Sequence, residues 1–562
     1  MNIKSSFLEN TWKKIDKYNN SEVFYIAQKN NLSITLAELL LSRNINNIKS
    51  FLSSKLKDNI TFNKIEKLSN INKSQNFFNQ IKETKKVGIF SDYDVDGACS
   101  AAILKNILSQ YKIEVELYIP NRLSEGYGPN TSAIKKLLEN NNHIIFLDCG
   151  SNNLEEQKLI KAKNSELLII DHHECNDVAE GVILINPKLI TDQSALNDLC
   201  TTSLVFLLIF YLTKKEIFSN NDVLQYLDLV ALATICDLVP LNPINRSFVK
   251  QGLKILNSDS KNKGLTTLIN EAKINQEISE YHLGYVLGPR INAGGRMGES
   301  YLSFNLLSSP NIHLAAQYSS VINGKNQERQ KIQTSIINSI NSGIKDNQNL
   351  INFFYDPTWH IGVLGIIAGR LMRSNKRPSF VMTDSENFIV GSGRSLGGLN
   401  IGTLMMEATE KGIIIKGGGH AKACGFTLEK RSWEPFKLFL LNKFTGSIVV
   451  QENHYELLLD LTVINERLLK DLDLLSPFGQ KNPEPIFKSE KIKIEILNIF
   501  KEKHIKCRLS DKLGNSVTGM MFDSNVESFK SFIAKKNELD CYYKVKRDTY
   551  SSKVIVHIED IH

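Results

Sequence analysis

The chain has 562 residues, of which 42% are hydrophobic and 23% are charged, and its formal net charge is +8. This globular composition excludes a disordered, collagen-like or coiled-coil protein, and the length predicts roughly three to four domains. The mild positive charge permits a polyanionic partner but does not require one. The eight cysteines contain no CxxC pair and fit neither a zinc knuckle nor a disulfide framework.

No targeting or membrane segment is predicted. Residues 1–20 are polar and lack the apolar run of a signal peptide. The most apolar stretch, residues 204–212, is about half as long as a membrane span. We therefore expect a cytoplasmic protein with no membrane partner.

The first half of the chain predicts a helical segment followed by an α/β domain. Residues 1–75 alternate short amphipathic runs with polar loops, and residues 76–314 alternate apolar strands with helices. We predict strands at 87–91, 114–119, 143–147, 166–170 and 181–185, and helices at 98–110 and 225–233. This alternation is typical of a parallel sheet flanked by helices on both faces.

The second half predicts three further parts. Residues 315–345 show a long polar helix pattern, which we interpret as a connector between two lobes. Residues 346–446 form a glycine-rich region of strands and helices and predict a second α/β lobe. In residues 447–562 the pattern changes to period-two alternation, with strands expected at 491–496, 504–509, 516–522 and 553–558. Such short strands predict a small β-barrel.

Acidic residues and histidines follow several of the predicted strands. They are Asp92, Asp94 and Asp96 after the first strand, Asp148 after the third, Asp171, His172 and His173 after the fourth, and Asp237 after a helix. Because ligands bind at the carboxyl ends of parallel strands, we expect these side chains to converge. Carboxylates and imidazoles favour Mn²⁺ or Mg²⁺ over a thiolate-bound metal. Two such ions, bridged by a carboxylate, would activate water and clamp phosphate oxygens.

Simpler interpretations exist for each of these residues alone. A single Asp after a strand is more often a helix cap, and adjacent histidines are more often structural. Asp-x-Asp-x-Asp-Gly also resembles an EF-hand loop, but Ile103 stands where that loop requires Glu. We interpret the neighbouring Cys99, Cys149, Cys175 and Cys236 as small packing groups. The conjunction of all the acidic and histidine residues in this order favours a metal site.

The second lobe contains two glycine-rich segments, Gly391-Ser-Gly-Arg-Ser395 and Gly417-Gly-Gly-His420. Their composition is typical of loops through which backbone amides approach a phosphate. Arg394 could add a bidentate contact to that phosphate. Glycines that serve tight turns alone are the alternative.

The Asp-Tyr-Asp-Val-Asp-Gly and Asp-His-His motifs resemble the DHH phosphoesterase superfamily. Longer motifs are similar to the RecJ family of single-strand-specific 5′→3′ DNA exonucleases, and the similarity runs from about residue 85 to the C-terminus. These longer motifs lie at 120–128, 288–298, 359–365, 417–420 and 475–487. Phe90 departs from the pattern, because many DHH proteins carry a histidine ligand at that position.

The resemblance implies the roles of individual residues. The metal ligands would be Asp92, Asp94, Asp96, Asp148, His172 and Asp237, with Asp148 as the bridge between the two ions of one active site. His173 would contact the scissile phosphate or assist the leaving oxygen, and Asp96 and Asp148 would be catalytic with it. The second lobe would be a substrate-binding DHHA1 domain. Candidates for gripping the strand and its 5′ end are Arg122, Arg296, Arg370, Ser392, Arg394, Gly418, Gly419 and His420.

The resemblance also implies a function in DNA recombination and repair. We expect two-metal hydrolysis of single-stranded DNA to 5′-mononucleotides, with a cleft too narrow for a duplex. Single-strand-binding protein and a RecQ-type helicase are the implied protein partners. The alternatives are a DHH phosphodiesterase for short oligonucleotides or cyclic dinucleotides, a pyrophosphatase, and a non-catalytic DNA-binding scaffold.

The C-terminal barrel is expected to be an OB-fold that adds a track for single strands. Residues 491–508 are locally basic. Candidate stacking groups on the barrel are Phe500, Tyr542, Tyr543 and Tyr550, for which ordinary barrel packing is the alternative.

Overall fold

The computed structural model describes residues 6–15, 18–53, 55–175, 178–219, 222–259, 261–343, 350–444, 452–548 and 551–562. The strands are β1 Thr11–Lys14, β2 Lys86–Ser91, β3 Glu114–Tyr118, β4 His143–Leu147, β5 Glu166–Ile170, β6 Ile183–Ile185, β7 Asn352–Tyr355, β8 Ser379–Ser385, β9 Phe388–Arg394, β10 Lys416–His420, β11 Ala423–Glu429, β12 Glu452–Tyr455, β13 Leu457–Leu458, β14 Phe487–Phe500, β15 His504–Ser510, β16 Ser516–Met521, β17 Leu539–Arg547 and β18 Val554–Ile561.

The α-helices are α1 Asn20–Asn30, α2 Ile34–Ser42, α3 Ile48–Leu52, α4 Leu56–Asn59, α5 Phe62–Glu66, α6 Ser74–Thr84, α7 Val95–Gln110, α8 Thr131–Leu138, α9 Leu154–Ala162, α10 Thr201–Lys214, α11 Leu227–Cys236, α12 Pro243–Leu256, α13 Lys263–Glu271, α14 Gly288–Arg296, α15 Tyr301–Leu307, α16 Ile312–Gly343, α17 Leu364–Asn375, α18 Ile401–Glu410, α19 Trp433–Lys443, α20 Glu466–Leu475 and α21 Val526–Ala534. Residues His282–Leu287 form a π-helical turn. Within the described ranges, no helix combines the length and the apolar character needed to cross a membrane.

The chain forms two compact units. One contains residues 1–54, 240–246 and 450–562, and the other contains residues 55–239 and 247–449. The five parts predicted along the chain, with boundaries at 75, 314, 345 and 446, stay a prediction.

A parallel sheet with strand order β3-β2-β4-β5-β6 forms one half of the larger unit. Every residue of β4 is buried, as expected for a parallel strand that is covered on both faces. Helices α8 and α9 pack with Phe90 and Phe146 in one core cluster, and α7 and α10 contact strands of the same sheet. The predicted α/β fold with a parallel sheet and helices is confirmed. Phe90 is a core residue here, which explains how the sheet accommodates it.

The other half of the larger unit is a mixed sheet with strand order β10-β11-β9-β8-β7, reached through the 32-residue helix α16. The two glycine-rich segments are not loops, as we had predicted, but the strands β9 and β10. Aromatic packing explains the glycines, because a Cβ on Gly391 would lie 2.3 Å from the Phe426 ring and one on Gly393 would lie 2.6 Å from the Phe380 ring. Strand β9 therefore keeps glycine so that the aromatic core can pack directly on its backbone.

The smaller unit contains a closed barrel. Its strand order is β14-β15-β16-β18-β17, and β17 pairs back onto β14, so the predicted barrel is confirmed. Strand β17 was not predicted, because its alternation is interrupted by a register shift between Tyr542 and Tyr543.

That register shift overturns two of the predicted stacking groups. Tyr542 and Tyr543 are both buried, with 4% and 1% of their surfaces exposed, so neither can stack on a base. Tyr542 stacks instead on Trp12 with ring centroids 4.4 Å apart, and the Tyr543 hydroxyl lies 2.7 Å from the Ser489 hydroxyl. Phe500 is exposed, and Tyr550 lies outside the described residues.

Candidate active site

The turn between β2 and α7 positions three carboxylates. Asp94 caps α7 by accepting hydrogen bonds from the backbone N–H groups of Asp96 and Gly97, at 2.8 and 3.1 Å. Gly97 is required there, because a Cβ would lie 2.3 Å from the carbonyl oxygen of Asp92. The helix-cap interpretation therefore holds for Asp94, and the tight turn brings Asp92, Asp94 and Asp96 to one edge of the sheet.

The N-terminus of α10 holds two of the carboxylates. Asp96 accepts hydrogen bonds from the backbone N–H groups of Thr201 and Thr202, at 2.7 and 2.8 Å. Asp148, which follows β4 with a left-handed φ of 61°, accepts a hydrogen bond from the Thr201 hydroxyl at 3.0 Å. The partial positive charge of a helix N-terminus stabilises carboxylates placed there. Neither threonine was predicted, because no local spacing connects them to Asp96, 105 residues earlier.

The structure brings all six predicted metal ligands together. Their possible donor atoms lie within 4.8 Å of one another in three groups: Asp92, Asp94 and Asp148; Asp96, His172 and Asp237; and Asp148, His172 and His173. The Nε2 atom of His172 lies 3.3 Å from Asp237 and 3.5 Å from Asp148. Asp148 belongs to two of the groups, and its two carboxylate oxygens would allow it to bridge two ions.

Several donor atoms of this cluster are buried and unpaired among the described residues. They are Oδ1 of Asp92, Nε2 of His172 and Oδ2 of Asp237. A buried polar atom without a partner costs about 1–3 kcal/mol, so such atoms are rare in folded proteins. Their presence at one point indicates a place for a cation.

The charge states of the cluster also fit a cation. Burial, and then the neighbouring carboxylates, raise the pKa of Asp148 well above its usual value and that of Asp237 to about 9. Burial lowers the pKa of His172 to about 4. His172 is therefore neutral near pH 7, so its short distances to Asp148 and Asp237 are not ion pairs. Carboxylate oxygens with one imidazole nitrogen match the preferences of Mn²⁺ and Mg²⁺.

His173 forms a charged pair with Asp171. The His173 Nδ1 atom lies 2.7 Å from Asp171 Oδ1, and Asp171 also accepts the backbone N–H of Ser151 at 3.2 Å. Although burial acts in the opposite direction on each group, this hydrogen bond lowers the pKa of Asp171 and raises that of His173. We had assigned no role to Asp171, although it is the first residue of the Asp-His-His motif. Its geometry makes it a positioning residue for His173.

Tyr127 is a second contact to His173 that we did not predict. Its hydroxyl donates to the carbonyl oxygen of Asp148 at 3.0 Å and lies 3.3 Å from His173 Nδ1. The flanking Gly126 and Gly128 have left-handed φ values of 82° and 83°, which glycine adopts without strain. The Gly-Tyr-Gly sequence at 126–128 was the signal from which this role of Tyr127 could have been predicted.

Guanidinium groups form a second cluster in the larger unit. Burial, and then repulsion from Arg122, Arg329 and Arg394, lowers the pKa of Arg296 to about 9. Arg296 donates to the carbonyl oxygen of Gly362 at 3.2 Å. Arg329 lies on α16 and was not among the predicted residues. Guanidinium groups this close together stabilise a bound anion, because an anion relieves their repulsion.

The remaining predicted substrate residues fall into two groups. Strand pairing places Ser392 in register with Gly425 and Gly418, and Arg394 in register with Ala423 and His420, so these side chains share one face of the second sheet. A Cβ on Gly418 would meet nothing within 4 Å. Gly419 belongs to the opposite face, where a Cβ would lie 2.2 Å from the carbonyl oxygen of Ala423, and Arg370 is exposed on α17. The structure therefore separates Gly419 from Gly418 and His420.

Three family models match the chain in the same order as the structural parts described above. They are the DHH family, N-terminal domain, at residues 86–234, the DHHA1 domain at residues 347–444, and the RecJ OB domain at residues 455–560. The chain therefore contains a DHH-family N-terminal domain, a DHHA1 domain and a RecJ OB domain, in that order.

Relatives of this RecJ type support the assignment. The chain is 30% identical over 418 residues to the single-stranded-DNA-specific exonuclease RecJ of Bacillus subtilis, covering 72% of this chain and 52% of that protein. It is 28% identical over 411 residues to the protein of the same name from Thermus thermophilus, covering 72% of this chain and 59% of that protein. The chain thus spans about half the length of these two relatives.

A solved RecJ structure shares the fold. The crystal structure of RecJ from Thermus thermophilus in complex with Mn²⁺ superposes with a TM-score of 0.85 at 21% identity, over 98% of this chain and 79% of that chain. A structure of RecJ from the same organism in complex with Mg²⁺ gives a TM-score of 0.79.

Proposed function

We propose that this protein is a metal-dependent 5′→3′ exonuclease specific for single-stranded DNA, acting in recombination and repair. The observation that carries the proposal is the cluster of unpaired, buried metal-ligand atoms, which lies in the same unit as the cluster of partly buried arginines. The names of the RecJ relatives supply the substrate class. Single-strand-binding protein and a RecQ-type helicase, which the resemblance implies as partners, belong to the same proposal.

The acidic cluster would hold two ions of Mn²⁺ or Mg²⁺. Asp92 and Asp94 would bind one ion, Asp96, His172 and Asp237 would bind the other, and Asp148 would bridge them. When bound, the cations would supply an activated water and neutralise charge on the phosphate oxygens. The Thr201 hydroxyl would keep the bridging Asp148 in place, and the backbone N–H groups of Thr201 and Thr202 would do the same for Asp96.

His173 and the arginines would act on the substrate itself. Asp171 fixes the proton of His173 on Nδ1 and holds the imidazole in one orientation, so the ring can contact the scissile phosphate or assist the leaving oxygen. Arg122, Arg296 and Arg394 would bind phosphates of the strand. The face of the second sheet that carries Ser392, Arg394, Gly418 and His420 would bind the 5′ end. Gly418 has no side chain, so a phosphate could approach the backbone there.

The barrel would provide an additional surface for the strand. On three neighbouring strands of the barrel, Met520 pairs with Lys506 on one side and with His557 on the other. The exposed ring of Phe522 contacts the rings of His504 and His557, with centroid distances of 5.5 and 5.0 Å. Basic and aromatic side chains side by side are typical of single-strand binding. Phe522 replaces the buried Tyr542 and Tyr543 as a stacking candidate.

The function is tested with single-stranded DNA, duplex DNA and matched RNA labelled at the 3′ end, in Mn²⁺ or Mg²⁺. We expect a ladder that shortens from the 5′ end on single-stranded DNA only. Hydrolysis of dinucleotides without cleavage of long strands would support the short-oligonucleotide phosphodiesterase instead. Binding without cleavage would support the scaffold.

Arg394→Ala is expected to reduce the preference for a 5′-phosphorylated over a 5′-hydroxyl strand by about 10-fold, because a charged hydrogen bond to a phosphate is lost. The ratio of kcat/KM on the two substrates measures the effect. Exposed Arg431 on the same lobe provides the control, and Arg431→Ala should leave the ratio unchanged. An unchanged ratio in Arg394→Ala would remove this residue from the 5′-end site.

Divalent cations are expected to raise the unfolding midpoint of the larger unit by several degrees, and more at pH 8 than at pH 6. The folded state raises the pKa of the clustered carboxyls, Asp237 to about 9, so without metal their contribution to stability is lost as pH rises towards that value. A cation replaces those protons, and at about 100 times its Kd it contributes about 2.7 kcal/mol. Thermal scans with Mn²⁺ and with EDTA measure the shift. A midpoint that does not respond to Mn²⁺ at pH 8 would contradict the metal site.

A further inference from the structure

Two neighbouring tyrosines expose their rings on the larger unit. Tyr281 and Tyr285 are 59% and 75% exposed, and their rings stack with centroids 5.2 Å apart and planes inclined by 25°. Scattered exposed aromatics are common on protein surfaces and need no explanation. Two stacked rings differ, because together they present one continuous aromatic surface to solvent.

The pair stands on a rigid support. The intervening His282 is buried, and its Nδ1 accepts the backbone N–H of Ser279 at 3.0 Å while its Nε2 lies 2.8 Å from the side-chain amide of Gln276. A π-helical turn begins at His282 and includes Tyr285, over residues 282–287. Such turns are rare and occur frequently at functional sites. Rings presented by a fixed backbone lose little conformational entropy when a ligand stacks on them.

This support packs directly against the end of the helix that carries a predicted metal ligand. The Cys236 thiol donates to the carbonyl oxygen of Leu283 at 3.5 Å, and a Cβ on Gly288 would lie 2.4 Å from the Cys236 sulfur. A Cβ on Gly284 would lie 3.3 Å from Ile235. The next residue after Cys236 is Asp237, whose carboxylate belongs to the acidic cluster. The segment that carries the two tyrosines therefore packs against the residues that directly precede Asp237 of the acidic cluster.

We propose that Tyr281 and Tyr285 form a stacking platform for a nucleobase of the strand whose backbone reaches the acidic cluster. This inference rests on the proposed function, and it adds a base-binding site to the phosphate-binding groups described above. The platform suits a base and not a phosphate, because the rings are uncharged and the preceding turn carries Glu277 and Glu280. Stacking on aromatic rings accepts every base, so the site needs no sequence preference.

The test measures binding of single-stranded DNA by fluorescence anisotropy in the full chain with Asp148→Ala, which prevents cleavage during the titration. Adding Tyr281→Ala and Tyr285→Ala together should weaken binding by about 10-fold. Adding Tyr281→Phe and Tyr285→Phe should change it by less than about 2-fold, because the rings remain. Tyr355→Ala is the matched control, since Tyr355 is an exposed tyrosine of the same unit whose hydroxyl bonds to Asp384.

A scan with one abasic nucleotide identifies the stacked base. At one position along the strand, removal of the base should weaken binding to the Asp148→Ala parent, and it should cause no further loss in the double alanine variant. Additive losses at every position would overturn the platform. Because both tyrosines are exposed, the thermal midpoint should not change, which separates the effect from misfolding.

The outcomes distinguish the platform from the function on which it rests. If the parent binds and the wild-type chain degrades single strands, but the double alanine variant binds as tightly as the parent, only the platform fails, and the surface serves another partner. If the parent does not bind single strands and the wild-type chain does not degrade them, both proposals fail.

Discussion

Asp148→Ala is expected to lower the rate of hydrolysis by at least about 10³-fold, which corresponds to about 4 kcal/mol of transition-state stabilisation. Asp148 groups with Asp92 and Asp94 at one proposed ion, and its Oδ1 lies 3.5 Å from the Nε2 atom of His172, a proposed ligand of the other ion, so its loss removes a donor from both. Binding of single-stranded DNA should persist, because the arginine cluster and the barrel are unchanged. Single-turnover rates, together with binding measured by anisotropy, check both parts.

Two variants make this experiment specific. Asp148→Asn keeps the size of the side chain and its hydrogen bond from Thr201 but removes the charge, and it should be nearly as inactive as Asp148→Ala. Glu174→Ala removes an exposed acidic residue from the loop that carries His172 and His173, and it should retain full activity. Hydrolysis at the wild-type rate by Asp148→Ala would rule out the bridging role.

Asp171→Asn is expected to lower kcat by about 10²-fold with little change in KM, because Asp171 acts through His173 and does not itself reach the substrate. The amide oxygen can still accept the hydrogen bond from Nδ1, so the loss reports the charge of the pair. The carboxylate raises the pKa of His173, and that pKa should therefore fall in the variant. If His173 donates a proton to the leaving oxygen, the alkaline limb of the pH–rate profile moves to lower pH.

Tyr127→Phe provides a graded comparison for this prediction. It removes a longer contact to the same imidazole nitrogen and leaves the charged pair intact, so its effect on kcat should be smaller than that of Asp171→Asn. An Asp171→Asn enzyme with unchanged kcat and an unchanged pH profile would show that the pair does not position His173.

The local pattern of the chain was sufficient to predict the parallel sheet and the position of the acidic residues. Strands such as β4 are uninterrupted apolar runs, and Asp148 follows β4 directly, so side chains that follow parallel strands had to meet at one edge. The Asp-x-Asp-x-Asp-Gly turn and the Asp-His-His motif are equally local, because each lies within a few consecutive residues. The same holds for the alternating strands of the barrel.

Interactions between distant segments were decided only by the tertiary structure. Thr201 and Thr202 hold Asp96 from a helix 105 residues away, and Arg329 approaches the other arginines from the connecting helix. The glycines of β9 are explained by the aromatic rings that pack on them, and no composition rule distinguishes them from loop glycines.

The tyrosines show most clearly which properties depend on local sequence and which depend on tertiary packing. Tyr542 and Tyr543 were candidates either for stacking on a base or for packing in the barrel, and they are buried, whereas Tyr281 and Tyr285 are a stacked and exposed pair. Local periodicity determines which residues form a strand or a helix, because backbone hydrogen bonding repeats over a few residues. Which side chain is finally covered depends on the packing of segments far apart in the chain, and a register shift at a single residue is enough to reverse it.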